Sequence, residues 1–180
     1  MYKNKTIGVV VPAYNEENLI TRVIDTMPDF VDQIIVVNDA SSDRTLEILE
    51  KEKQHHPKLE VISHPKNQGV GGAIATGYKR ARELKIDVTV VMAGDGQMDP
   101  ADLPAIIEPV VNGEAEYSKG NRLFRGESWK MIPHYRYLGN SLLSFFTKIA
   151  SGYWHIADSQ CGYTAISLNA LNLLDLDKIY

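Results

Sequence analysis

Val88 to Pro100 reads VTVVMAGDGQMDP: a short β-branched and apolar run, then an abrupt change to small and acidic residues. A run with no polar face is what a strand covered by helices on both sides requires. Asp95 follows that strand by only two small residues, Ala93 and Gly94. Pro100 stands where a proline of a first helical turn belongs, and Leu103, Ile106, Ile107 and Val110 recur behind it at helical spacing. One buried strand, one acidic loop and one amphipathic helix therefore follow each other directly.

The same unit occurs three times upstream. Thr6 to Pro12 (TIGVVVP) is a valine-rich strand, followed over 15–27 by Leu19, Ile20, Val23, Ile24 and Met27 on one helical face, with Pro28 ending the pattern. Gln33 to Val37 is a second strand. Ser41-Ser42-Asp43 then offers an N-cap for a helix with Leu46, Ile48 and Leu49 on its apolar side. Leu59 to Ser63 is a third strand, and the helix after it carries Val70, Ile74, Gly77, Ala81 and Leu84 on one face. Four such repeats predict an α/β protein with a parallel sheet covered on both faces. Sheets of that kind bind ligands at the carboxyl ends of their strands. Here those ends lead into PAYNEE (12–17), NDASSDRT (38–45), HPKNQGVGG (64–72) and AGDGQMDP (93–100). From residue 113 the alternation weakens: a short strand is expected at Ala115 to Lys119, a loop at 121–133 and a helix at 135–150. No linker separates this part, so residues 1–180 are expected to form a single domain.

Composition narrows the function classes. The chain has 180 residues, 44% hydrophobic and 23% charged, which excludes a disordered chain, a collagen-like fibre and a small disulfide scaffold. A net charge of -4 gives no reason to expect a nucleic-acid partner. The one cysteine, Cys161, cannot form an internal disulfide, which fits a reducing, cytoplasmic location. The N-terminus is too poor in apolar residues for a signal peptide, and no run approaches the ~18 apolar residues that span a bilayer.

The loops offer candidates for chemistry. Asp95, Gln97 and Asp99 are hard oxygen donors suited to Mg²⁺ or Mn²⁺, although Asp99 sits at an N-cap position. Asp39 can accept hydrogen bonds from a base or ribose, Asp43 can do the same or cap a helix, and Tyr14 can stack on a planar ligand. Glu17 suits the positive end of the helix that it opens. Asn67 to Gly72 matches neither the dinucleotide fingerprint nor a P-loop. Arg122, Arg125, Lys130 and Arg136 fall in one irregular stretch that is either suited to phosphate or a solvated loop, and Arg122 is the phosphate candidate. His55 and His56 end a charged helix, and His64, His134 and His155 lack zinc-like spacing. Cys161 reads as a packed thiol. Asp158 lies in a polar turn that is either an acceptor-side loop or a plain connection.

Taken together, VVPAYNEE, VVNDASSDRT, NQGVGGAIATGY and VVMAGDGQMDP resemble, in order and spacing, the loops of glycosyltransferase family 2. GNRL at 120–123 and DSQCGYTA at 158–165 extend the resemblance over essentially the whole chain, closest to the branch of dolichyl- and polyprenyl-phosphate sugar transferases. It implies a GT-A fold, a Rossmann-like three-layer α/β/α sandwich with a mostly parallel sheet. Residues 1–112 would be the nucleotide-sugar-binding half, and 113–180 an acceptor-side half cut short at its C-terminus. It implies an inverting transfer from a UDP- or GDP-linked sugar to an acceptor, either a polyprenyl or dolichyl phosphate or a glycan. Pro12, Ala13, Tyr14, Glu16, Val37, Asp39 and Gly94 would hold the donor, with Arg122 on its phosphates. Asp95 and Gln97 would lie at a Mg²⁺ or Mn²⁺ ion, and Asp95 and Asp158 would be catalytic. The family's usual Asp-x-Asp is broken here by Ala93.

A phosphate acceptor is already anionic near neutral pH and needs no strong base, which suits a sequence with no clear base beyond Asp158. The stripe Leu138, Leu142, Phe145, Phe146 and Ile149 reads as a core helix or as a face toward lipid, which would make the protein peripheral at the cytoplasmic face of a membrane. Two alternatives stand beside the transferase: a nucleotidyltransferase on a similar sheet, and a non-catalytic sugar-nucleotide-binding module.

Overall fold

The computed structural model describes residues 1–120, 146, 147, 149, 150, 152 and 161–178. The expected helix at 135–150 and the candidates Arg122 and Asp158 fall outside them, except for Phe146, Thr147, Ile149 and Ala150, which are helical. The chain forms two compact units, Met1–Ser118 with Tyr163–Tyr180, and Lys119–Gly162. The first carries nearly all of the described elements.

Its sheet is built from β1 (Ile7–Ala13), β2 (Gln33–Asn38), β3 (Leu59–Ser63), β4 (Val88–Val91), β5 (Tyr117–Lys119) and β6 (Thr164–Ser167), in the order β3-β2-β1-β4-β6-β5. The first four strands run parallel, with Val10 beside Ile35 on one side and Val91 on the other. The four repeats read from the sequence thus stand as expected. β6 was not anticipated: it returns antiparallel to β4, pairing Val90 with Ala165. Four residues with one short apolar stretch give too weak a periodicity to announce a strand.

Helices α1 (Ile20–Asp25), α2 (Thr45–His55), α3 (Gly69–Glu83), α4 (Leu103–Val111) and α5 (Leu168–Leu173) follow, with a 3-10 turn at Pro100–Asp102 ahead of α4. Both faces of the sheet are buried. On one, Val10, Ile35, Val37, Val91 and Ile166 pack with Ala73, Tyr78 and Ala81 of α3 and Leu171 of α5. Val9, Val11, Val36 and Val90, which alternate with them, are also fully buried. α4 lies against β4 and β6 through Leu103, Ile107 and Val110, outside that cluster.

Two helices differ from expectation. α1 starts at Ile20 instead of 15, because the N–H groups of Glu16 and Glu17 are taken by Thr45 Oγ1 and Asp43 Oδ2 of the neighbouring loop. The apolar face expected on α3 is also shifted. Val70 and Leu84 at its ends are exposed, while Gly72, Ala73, Gly77, Tyr78 and Ala81 are buried. Small residues win because the helix lies unusually close to the sheet. A Cβ on Gly77 would stand 2.2 Å from Val10 Cγ1. Burial pushes the Tyr78 hydroxyl up to about 12, opposed by its hydrogen bond with Thr164.

Candidate active site at the strand ends

The carboxyl ends of β1, β2, β3 and β4 gather the described candidates at one edge of the sheet. The exits of β1 and β2 are bound to each other. Asp39 N–H donates to Ala13 O at 2.9 Å, Asn15 N–H donates to Ser41 Oγ at 3.0 Å, and Ser42 N–H donates to Asn15 Oδ1 at 2.8 Å. Asn15 and Ala40 both take positive φ, 59° and 57°, a strained backbone that the reciprocal bonds between the loops hold in place. Asp43 accepts from Thr45 N–H at 2.9 Å and Thr45 Oγ1 at 2.6 Å through one oxygen, and from Glu17 N–H through the other. Its carboxylate therefore serves the loop–helix junction. Tyr14 stands half exposed at the exit of β1. Pro12 is partly buried and Ala13 fully so, while Val37 has its side chain in the core two residues below Asp39.

Asp39 is only 3% exposed. Its Oδ1 accepts from His64 Nδ1 at 2.7 Å and from Gln68 N–H at 2.9 Å, while His64 Nε2 meets Thr76 Oγ1 of α3 at 2.9 Å. Spacing along the chain gave His64 no role. Its place as the first residue after β3 is the signal that could have found it.

Across β1, the exit of β4 carries the acidic loop. Gly94 N–H donates to Pro12 O at 3.3 Å, and a Cβ on Gly94 would come within 3.1 Å of that same oxygen. The close approach of the two exits is thus permitted by a glycine. Asp95 Oδ1 accepts from Gln97 N–H at 3.0 Å, which closes a turn, and Ala93 N–H reaches Met98 Sδ at 3.2 Å. Asp99 caps the 3-10 turn by accepting from Ala101 N–H at 2.9 Å, as its position suggested. The Glu16 carboxyl is held above its ordinary value, first by burial and then by the negative charges of Asp95 and Asp43. Glu16 therefore lies within reach of the charges of Asp95 and Asp43.

A divalent ion would relieve that repulsion, and the oxygen donors at the β4 exit suit Mg²⁺ or Mn²⁺. Asp95 and the exposed Gln97 fit such an ion, and Ala93 contributes no ligand. Among the described residues, one group of three metal-ligating side chains stands close together elsewhere: Asp25, Glu52 and His56. His56 Nε2 lies 3.1 Å from Asp25 Oδ1 and 3.4 Å from Glu52 Oε2, so the group ties α1 to α2. Asp25 ends α1 and His56 follows α2. Helix C-termini lie at the amino edge of a parallel sheet, the wrong edge for a ligand held at the strand exits. A cleft of about 560 Å³ beneath the acidic loop is lined by Arg22, Thr26, Met92, Gln97 and Met98, and takes in neither Asp39 nor Asp95.

A parallel sheet with an added antiparallel strand, an acidic loop at the β4 exit and a buried carboxylate at the β2 exit give an α/β fold of the GT-A type. Residues 8–174 match the family Glycosyl transferase family 2, and the chain belongs to it. It is similar to a UDP-N-acetylglucosamine–dolichyl-phosphate N-acetylglucosaminyltransferase of Methanococcus voltae, 38% identical over 95% of this chain and 73% of that one. A dolichol-phosphate mannosyltransferase of Pyrococcus furiosus is 34% identical over 73% of this chain and 37% of its own. Among solved structures, glucosyl-3-phosphoglycerate synthase of Mycobacterium tuberculosis, in complex with Mn²⁺, UDP-glucose and phosphoglyceric acid, superposes with a TM-score of 0.65 at 25% identity. That likeness covers 92% of this chain and 58% of that one. Among the described residues, no helix is long and apolar enough to cross a membrane.

Proposed function

We propose that this chain carries the donor site of an inverting transferase that moves a sugar from a nucleoside-diphosphate sugar to a polyprenyl or dolichyl phosphate. The observation that carries the reading is the convergence of Asp39 and Asp95 at the carboxyl edge, on either side of the β1 exit. One carboxylate is buried and suited to a base, and the other stands on a rigid acidic loop suited to a metal-bound diphosphate. The relatives support the acceptor, since their names specify dolichyl phosphates. The Mn²⁺ beside UDP-glucose in the mycobacterial synthase supports the metal.

In this reading Tyr14, Pro12 and Ala13 border the base and ribose, with Asp39 hydrogen-bonded to the base and Val37 supporting it from the core. Asp95 and Gln97 hold Mg²⁺ or Mn²⁺, which when bound neutralises the departing diphosphate. Gly94 lets the β4 exit approach Pro12 closely, which keeps Asp95 beside the donor-binding β1 exit, and Glu16 adds negative charge that favours the ion. Arg122 is assigned to the diphosphate and Asp158 to the acceptor side. An anionic phosphate acceptor attacks the anomeric carbon from the face opposite the leaving group, so the configuration inverts in one displacement. Residues 1–112 serve the donor and 113–180 the acceptor. A polyprenyl acceptor places the work at a membrane surface, where the protein binds peripherally at the cytoplasmic face. The exposed Phe146 and Ile149 fit that placement.

The test is incubation with UDP- and GDP-sugars, Mg²⁺ or Mn²⁺ and a short polyprenyl phosphate. Metal-dependent release of nucleoside diphosphate with equal formation of lipid-linked sugar is expected. Release of pyrophosphate from a nucleoside triphosphate, or donor binding without turnover in the full-length protein, would overturn the reading.

A further inference from the structure

Both ring nitrogens of the buried His64 are partnered at the strand ends, and the transfer chemistry gives it no part. Its side chain is 6% exposed and spans from the β2 exit to α3. A carboxylate only accepts, so His64 Nδ1–H must be the donor to Asp39 Oδ1, and Thr76 Oγ1 satisfies the other ring nitrogen. Gln68 N–H donates to the same Asp39 oxygen. Each carboxylate oxygen has about two lone-pair sites, so Oδ1 is filled. Oδ2 has no hydrogen bond among the described residues. It is not fully enclosed either, since Thr89 Oγ1 is the one fully buried, unpartnered side-chain polar atom among them.

We propose that His64 is a positioning residue that sets the base specificity of the site, because by filling Asp39 Oδ1 it leaves a single carboxylate oxygen for the nucleotide. This rests on the donor-site reading above. One free oxygen matches a base edge with one N–H between carbonyls, the N3–H of uracil. Guanine presents N1–H and an amino N–H side by side, and needs both oxygens of a carboxylate. With Oδ1 filled, its amino group lies against a carboxylate that has no acceptor left for it, a situation that costs about ten- to a hundredfold in affinity. The geometry therefore selects a uridine-linked donor over a guanosine-linked one. Thr76 anchors the ring and keeps it from turning away.

Calorimetric titration with UDP and with GDP, in the presence of Mn²⁺, tests this on the wild type and on His64→Leu, His64→Asn and Thr76→Val. Wild type is expected to bind UDP at least ~10-fold tighter than GDP. His64→Leu frees Asp39 to rotate and offer both oxygens, so the UDP-to-GDP ratio should fall about 10-fold. In turnover assays the loss should appear in the donor KM more than in kcat. His64→Asn, whose amide nitrogen can replace Nδ1 as the donor, should restore most of the ratio, and Thr76→Val should lower it partway. Circular dichroism establishes that each variant is folded. If His64→Leu does not fold, Thr76→Val carries the test, with His64→Asn as the variant expected to keep the ratio. A wild type that binds GDP as well as UDP, or folded His64→Leu and Thr76→Val variants with unchanged ratios, would overturn the role of His64 and leave sugar transfer standing. A wild type that binds neither nucleotide would overturn the donor site itself, and this inference with it.

Discussion

Gly77→Ala adds one methyl group at the contact between α3 and the centre of the sheet. The new Cβ would lie 2.2 Å from Val10 Cγ1, 2.9 Å from Cγ2 and 3.1 Å from Cβ. Carbon atoms settle at roughly 3.5–4.0 Å, so the helix or the strand must move by more than about 1 Å. Val10 cannot yield cheaply: it is fully buried, β-branched, and hydrogen-bonded into β1 between β2 and β4. Overpacking of this kind costs about 1–3 kcal/mol. Alanine in a helix interior returns about 1 kcal/mol relative to glycine. With a contact this short the cost lies in the upper half of its range, so the net loss should be about 1–2 kcal/mol. For a chain of this size that lowers Tm by roughly 2–8 °C. Thermal and urea unfolding of the two proteins measure it, and the same change on a Val10→Ala background should cost much less or stabilise. A Gly77→Ala protein as stable as the parent would refute the close approach, because the helical gain would then be unopposed.

Asp95→Asn should lower turnover by at least ~100-fold, the scale of losing one electrostatic contact to a developing charge. It should also weaken metal-dependent donor binding, and unchanged kinetics in that variant would remove Asp95 from the mechanism. Hydrogen bonds from Thr6 N–H and Thr6 Oγ1 hold the Asp87 carboxyl below its ordinary value, against a smaller effect of burial. Its contribution to stability is therefore present above the ordinary carboxylate range and is lost as pH falls through the lowered value. Asp87→Asn should flatten the acid arm of a Tm-against-pH curve, and an identical acid arm would disprove the linkage. Glu16 has the opposite sign. Its raised carboxyl favours folding while protonated, and that benefit is lost as pH rises through the folded-state value. Glu16→Gln should gain stability relative to the parent as pH rises through the carboxylate range, and parallel curves for the two proteins would count against the repulsion with Asp95.

Much of the architecture was legible from local pattern. The valine runs at β1, β2 and β4 have no polar face, and each is followed by a loop rich in small and acidic residues. This located the candidate loops at one edge of the sheet before any contact was known. Asp99 was likewise readable as a cap, because an aspartate before Pro100 makes its bond to a neighbour two residues away. What was misread depends on distant partners. α1 lost its first turn to Thr45 and Asp43, and α3 turned a small-residue face inward because Gly77 meets Val10. β6 exists by pairing with β4, far away in the chain.

From its own residues, the sequence determined that this is a strand–helix protein whose polar and acidic loops gather at the carboxyl edge, with Asp39 and Asp95 among the groups presented there. Periodicity and turn chemistry are properties of neighbouring residues and need no fold to be read. Tertiary structure alone decided how those groups are used. It spent one oxygen of Asp39 on His64, 25 residues further along the chain, and on the Gln68 backbone. It also pressed Glu16 toward Asp95 and brought Gly94 against Pro12. Hydrogen bonds and charge repulsion act over a few ångströms, so their partners are set by which strand ends lie side by side.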